Sequence, residues 1–134
     1  MAVSREFASA IRLLIAQTMS GLSAGASELA RKANALYVGC DMFTQVLIRP
    51  EGTVGGCALD EHDFHFAEFC PKRLNTALLF GSQRIPDLNN LIPRRANNAT
   101  TCELCGGKGK IPSMQNCWCH DCGGVGWTSD DCVF

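Results

Sequence analysis

The sequence predicts an α+β protein: a helical N-terminus, a short antiparallel hairpin and further helices, followed by a cysteine- and glycine-rich C-terminal module. Three observations carry this. Apolar residues between Phe7 and Leu22 recur at helical spacing. Strand-forming residues flank a proline–glycine turn at residues 49–53. Two copies of one cysteine–glycine pattern then stand close together after residue 100.

The first helix follows from Phe7, Ile11, Leu14, Ile15, Met19 and Leu22, which keep i, i+4, i+7, i+8 spacing, with Ser4 where an N-cap belongs. Glu6 and Arg12 interrupt the uncharged run that a secretory signal would need. Gly21, Ser23, Gly25 and Ser27 form a small-residue break. A second helix is expected from Ser27 to about Ala35, turning Leu29, Ala30, Ala33 and Leu36 inward. Strands over Thr44–Arg49 and Thr53–Leu59 should pair as a hairpin, with Pro50 at i+1 and Gly52 supplying positive φ at i+2. Asp60 to Glu68 reads as an acidic, histidine-containing loop or edge. Pro71 suits the first turn of a third helix through Phe80, with Leu74, Ala77 and Leu78 on one face and Gly81 as its C′ residue. A short helical turn, Pro86 to Leu91, is closed by Pro93. After it the composition shifts through a polar stretch, Arg94 to Thr101, which divides a body (residues 1–97) from a module (residues 98–134).

Composition narrows the function. The chain has 134 residues, 46% of them hydrophobic and 19% charged, so one domain-sized core is expected rather than disorder. A formal charge of −1 argues against a general electrostatic binder of nucleic acid. No apolar run approaches the roughly 18–20 residues of a membrane span, so no membrane partner is expected. Nine cysteines are an odd number, which fits a disulfide framework poorly, and four of them form two Cys-x-x-Cys pairs. Bound metal in a reducing compartment is the better reading. A bacterial cytoplasm is expected, with the mitochondrial matrix as the alternative because Arg5, Arg12 and several serines lie in an acid-poor start.

The strong motif is Cys102-Glu103-Leu104-Cys105-Gly106-Gly107-Lys108-Gly109, repeated as Cys119-His120-Asp121-Cys122-Gly123-Gly124-Val125-Gly126. Two thiolates two residues apart can grip one ion from a single tight turn. The glycines that follow allow positive φ and aim backbone N–H groups at sulfur. Two such knuckles complete a tetrahedral Zn²⁺ site, one ion per chain, with Cys102, Cys105, Cys119 and Cys122 as ligands and no position left for a catalytic water. A pair of redox-active dithiols is the rival reading of the same cysteines. Cys117 offers an alternative ligand but breaks the phase, and is expected as a buried small hydrophobe. Cys40, Cys57, Cys70 and Cys132 are likewise expected to be buried and inert. Ile111, Trp118 and Trp127 should supply the module's apolar contacts, with His120 exposed beside the metal.

Residues 102–126 resemble the CxxCxGxG zinc finger of DnaJ-type co-chaperones, and its two-motif version in anti-TRAP proteins and related plastid chaperones. The resemblance implies metal binding by the four cysteines. It does not extend to a J-domain, since no His-Pro-Asp tripeptide is present. Around Gly39 to Thr53 the body is similar to small bacterial α+β proteins, including SUKH-type immunity proteins, which implies a binding protein.

Other constellations are weaker. Asp60, Glu61, His62, Asp63 and His65 mix carboxylates with imidazoles, but no distant third ligand completes a site, and a solvated loop is expected. Residues 72–110 hold seven Lys or Arg against two acids, while residues 51–70 hold five acids and no Lys or Arg. No Walker loop, nucleophile elbow, zinc-protease or dinucleotide motif occurs. The expectation is a non-enzymatic zinc-binding protein that acts by binding another protein as an adaptor, immunity protein or chaperone-like factor. Asp60, Glu61, Asp63, Arg94 and Arg95 are the candidate partner-binding residues. A nucleic-acid-associated zinc protein using Lys72, Arg73, Arg94, Arg95, Lys108 and Lys110 is the alternative, and a zinc-linked thiol redox protein or holdase is a second.

Overall fold

A computed structural model describes residues 3–18, 24–41, 44–58, 65–114, 117–129 and 134. Helix α1 spans Arg5–Thr18. The Phe7 N–H donates to Ser4 Oγ at 3.1 Å, the expected N-cap. Phe7, Ile11 and Leu14 are buried along one stripe. Met19 and Leu22 lie outside the described residues, as does the side chain of Leu29. Helix α2 is Ala24–Ala33, three residues earlier at its start than expected and two shorter at its end. Asn34 stops it by taking φ 50°. The Asn34 N–H then donates to Arg31 O (3.1 Å) and the Ala35 N–H to Ala30 O (3.0 Å), a Schellman ending that asparagine tolerates in place of glycine.

The expected hairpin is part of a four-stranded antiparallel sheet with order β1-β2-β3-β4: β1 Leu36–Asp41, β2 Thr44–Ile48, β3 Val54–Ala58 and β4 His65–Phe66. Leu36 is thus the first residue of a strand rather than part of a helix face. It pairs with Ile48, which pairs with Val54. The β2–β3 turn also differs in detail. The Gly52 N–H donates to Arg49 O (2.9 Å) and the Arg49 N–H to Thr53 O (3.0 Å). Gly52, at φ 88°, is therefore the fourth turn residue, one place beyond its expected position, in a three-residue loop with a glycine bulge. Among the described residues of the acidic stretch, His65 and Phe66 form β4, at the edge of the sheet; Asp60, Glu61, His62, Asp63 and Phe64 lie outside the described residues.

The sheet has a helical layer on each face. Leu36, Val38, Ile48 and Val54 meet α1 and helix α3 (Pro71–Gly81) in the main core, with Leu74, Ala77, Leu78, Ile85, Leu88 and Phe134. Leu47, on the other face, packs with Ala30, Ala33 and Ala35 at the end of α2. Burial of each large aliphatic side chain contributes about 1.5–3 kcal/mol, so the main core dominates the body's stability. Pro71 opens α3 as expected, and Pro86–Leu91 forms a 3₁₀ turn. Gly81 is not a left-handed C′ residue. It is the last residue of α3, and Ser82 follows as the C-cap at φ −65°. A Cβ at Gly81 would sit 2.7 Å from both Leu88 Cδ1 and Val38 Cβ, so close packing against β1 requires the glycine there. Phe134 returns to the body, edge-on to Phe7 and Phe69 at centroid distances of 6.3 and 5.9 Å. No helix among the described residues is long and apolar enough to cross a membrane.

Candidate metal centre

Beyond the polar stretch two short ladders hold the cysteines. Strand β5 (Thr100–Thr101) pairs with β8 (Trp127–Thr128), and β6 (Lys110–Ile111) with β7 (Cys117–Trp118). Each knuckle connects one ladder to the other: residues 102–109 run from β5 to β6, and residues 119–126 from β7 to β8. All six motif glycines after the second cysteines, residues 106, 107, 109, 123, 124 and 126, have positive φ. The Gly109 N–H donates to Cys105 Sγ (3.3 Å) and the Gly126 N–H to Cys122 Sγ (3.2 Å). This is the arrangement expected to ease the charge of a thiolate set.

The two knuckles are related by a local two-fold that exchanges positions 17 residues apart. The Cys102 N–H donates to Gly126 O (3.0 Å) and, symmetrically, the Cys119 N–H to Gly109 O (2.8 Å). A Cβ on Gly109 would strike the Gly124 carbonyl, and one on Gly126 would strike the Gly107 carbonyl. These crossed contacts bring the four buried sulfurs of Cys102, Cys105, Cys119 and Cys122 within 4.8 Å of one another. Cys102 Sγ lies 3.8 Å from Cys119 Sγ, and Cys105 Sγ 3.8 Å from Cys122 Sγ. A tetrahedron with metal–sulfur bonds of ~2.3 Å has edges of about 3.8 Å, so the donor set fits a four-coordinate ion. The cluster can hold a metal, zinc being the typical occupant of four thiolates. The expected ligands are all brought together.

As thiols, Cys102, Cys105 and Cys122 are unequal. Burial pushes Cys102 up to about 12, reinforced by the thiols of Cys105 and Cys119. Burial also acts upward on Cys105, but N–H donation from Gly109 and Gly107 and the thiols of Cys102 and Cys122 outweigh it and bring Cys105 down to about 7. Cys122 is raised, chiefly by burial. Proximity to an anion already formed at Cys105 makes the next ionisation harder. A divalent cation removes that conflict by compensating every sulfur at once.

Ile111 is buried beside the four cysteines, with Val125 packed against them, and Trp127 is buried as expected. Trp118 is half-buried with Lys110 Nζ 4.4 Å over its ring, and it covers Gly124. His120 is exposed. Cys117 departs from expectation and is exposed: alternation along β7 turns it away from the face that Trp118 occupies. Cys40 is also exposed and Cys70 half-buried, so neither is a core residue, while Cys132 and the Cys57 side chain lie outside the described residues.

The second knuckle also meets the body. Gly123 lies against the Lys72 carbonyl and Asn75 on α3; the Thr76 hydroxyl is 3.2 Å from Gly123 O; and Lys72 Nζ is 3.9 Å from Asp121 Oδ1. Sequence reasoning missed this seat, because nothing in the octad distinguishes a docked knuckle from a free one. Arg94 and Arg95 are exposed, and Arg95 Nη2 donates to Thr101 Oγ1 at 3.0 Å. Comparison with protein-family models, curated proteins and solved structures finds no match to the chain. The metal assignment rests on the sulfur geometry itself.

Proposed function

We propose that the chain is a non-enzymatic, cytoplasmic protein-binding factor. In it one Zn²⁺, held by a DnaJ-like knuckle pair, acts as a structural brace. The supporting observation is the combination of four inward sulfurs with a knuckle seated on α3. Four protein ligands saturate a tetrahedral ion, leaving it no open position for a substrate or an attacking water. The ion then contributes by fixing the surface made jointly by the second knuckle, α3 and the sheet. Exposed Arg94 and Arg95, with Asp60, Glu61 and Asp63 of the acidic stretch, are the charges proposed to orient a partner and set its association rate.

The basic residues keep one other reading open, because Lys72, Arg73, Arg94, Arg95 and Lys108 are all exposed. The two readings separate on salt and nuclease. The zinc-loaded chain, immobilised in nuclease-treated bacterial extract, should retain a defined protein, with retention changing little between 50 and 200 mM salt. Retention that disappears with nuclease, or falls ~10³-fold over that salt range, belongs to phosphate binding and overturns the proposal.

A further inference from the structure

The seat of the second knuckle on the body creates a cleft of about 270 Å³. Its floor is apolar: Val46 and Val54 from the sheet, Ala77 and Phe80 from α3. Trp118 and His120 form the wall contributed by the knuckle and β7. Gly56 stands directly opposite Val46 in the register, so β3 places no side chain beside Val46 at that point. The rim is cationic. Lys72 and Arg73 stand at its edge. Asp121 faces Lys72, whereas Arg73 has no ion-pair partner among the described residues.

We propose that this cleft is the docking site for an acidic peptide segment of a partner protein. One bulky apolar side chain would enter the cleft, and flanking carboxylates would meet Arg73 and Lys72. This deepens, and rests on, the protein-binding reading above. The volume lies below the roughly 300–1,000 Å³ of drug-sized ligand and cofactor sites, which suits a single anchoring side chain. Apolar anchors in desolvated pockets dominate interface energies, and the cationic rim selects the sign of their neighbours. An apolar floor gives a phosphate chain little to bind, so nucleic acid is the disfavoured occupant. Because one wall comes from the knuckle, the cleft is complete only while the metal holds that knuckle in shape.

The test uses the full zinc-loaded chain to select from a phage-displayed library of random dodecapeptides. A fluorescein-labelled consensus peptide is then titrated by anisotropy. Enriched sequences should carry an aromatic or branched aliphatic residue flanked by Asp or Glu. Arg73→Glu, an exposed change, should weaken the consensus peptide about tenfold or more while zinc content and melting temperature stay unchanged. Trp118→Ala should weaken it comparably, and a single-stranded DNA 20-mer should not compete. No enrichment, a basic consensus, indifference to Arg73→Glu or displacement by the DNA would each overturn the proposal. If the peptides fail while nuclease-treated extract still yields a salt-resistant protein partner, the cleft assignment falls and the protein-binding reading stands. If that capture fails as well, both fall.

Discussion

Gly123 and Gly106 hold the same place in the two knuckles, 17 residues apart, yet only Gly123 is seated against another element. A Cβ on Gly123 would run into the Lys72 carbonyl and come within 2.9 Å of Asn75 Cβ, whereas one on Gly106 would meet nothing within 4 Å. The local two-fold of the metal module is therefore broken by the body. One knuckle is a docking element and the other faces outward.

This pair supports a controlled comparison. Both residues have left-handed φ, 71° and 64°, so alanine incurs a similar backbone cost of about 1–2 kcal/mol at each. Gly106→Ala should show that cost alone. Gly123→Ala should lose about 1–3 kcal/mol more, since overpacking against a helix backbone cannot be relieved by a rotamer change. Urea unfolding of the zinc-loaded variants measures the difference. Equal losses would mean that the knuckle is not seated on α3.

Metal content gives a second prediction. The wild-type chain should carry one zinc by elemental analysis. Serine at Cys102, Cys105, Cys119 or Cys122 should each abolish stable retention, because three thiolates no longer close the tetrahedron. Cys117→Ser should retain one zinc, since the exposed Cys117 is not among the four clustered sulfurs. Zero or two zincs per wild-type chain would refute the assignment.

The parts legible in the sequence are those set by local chemistry. Ser4, Pro71 and Pro86 mark their helical segments because caps and fixed φ act within one turn. The paired octads name the four ligands because spacing alone lets a turn present two sulfurs. What stayed hidden depends on residues distant in sequence. Gly81 looks like a helix stop, but Val38 and Leu88 make it a packing residue. Leu36 continues the apolar stripe of α2, but pairing with Ile48 makes it a strand residue. Cys117 reads as a buried hydrophobe until the alternation of β7 is set by Trp118. The cleft has no sequence signal at all, since its walls come from three separate segments.

A third prediction concerns metal removal. The main core contains none of the four cysteines, and their cluster adds only Ile111 and Val125. Chelation should therefore unfold residues 102–127 and leave the α1–sheet–α3 body folded, with most far-ultraviolet dichroism and a cooperative thermal transition intact. Complete loss of both would show that the two clusters form one cooperative unit. By contrast, Leu78→Ala in the body should cost about 2–5 kcal/mol while zinc is retained.

The last prediction is the pH dependence of metal affinity. Zinc binds thiolate, so every sulfur still protonated in the metal-free chain must release its proton on binding, and affinity rises with pH. Cys102, raised to about 12, is protonated at pH 8, and Cys122, raised above its ordinary thiol value of 9.0, is largely so. These two alone make the affinity rise about 100-fold per pH unit near pH 8. Cys105, at about 7, is mostly ionised there and adds little, but below pH 7 it too is protonated and the dependence should steepen by roughly another tenfold per unit. Competition titrations against a chromophoric chelator between pH 6 and 8.5 measure the slope. Calorimetry in buffers of different ionisation enthalpy counts the released protons directly. Two or more protons per zinc at pH 8 are expected. Fewer than one would mean that Cys102 and Cys122 are already ionised before the metal arrives, against the upward push that burial gives them.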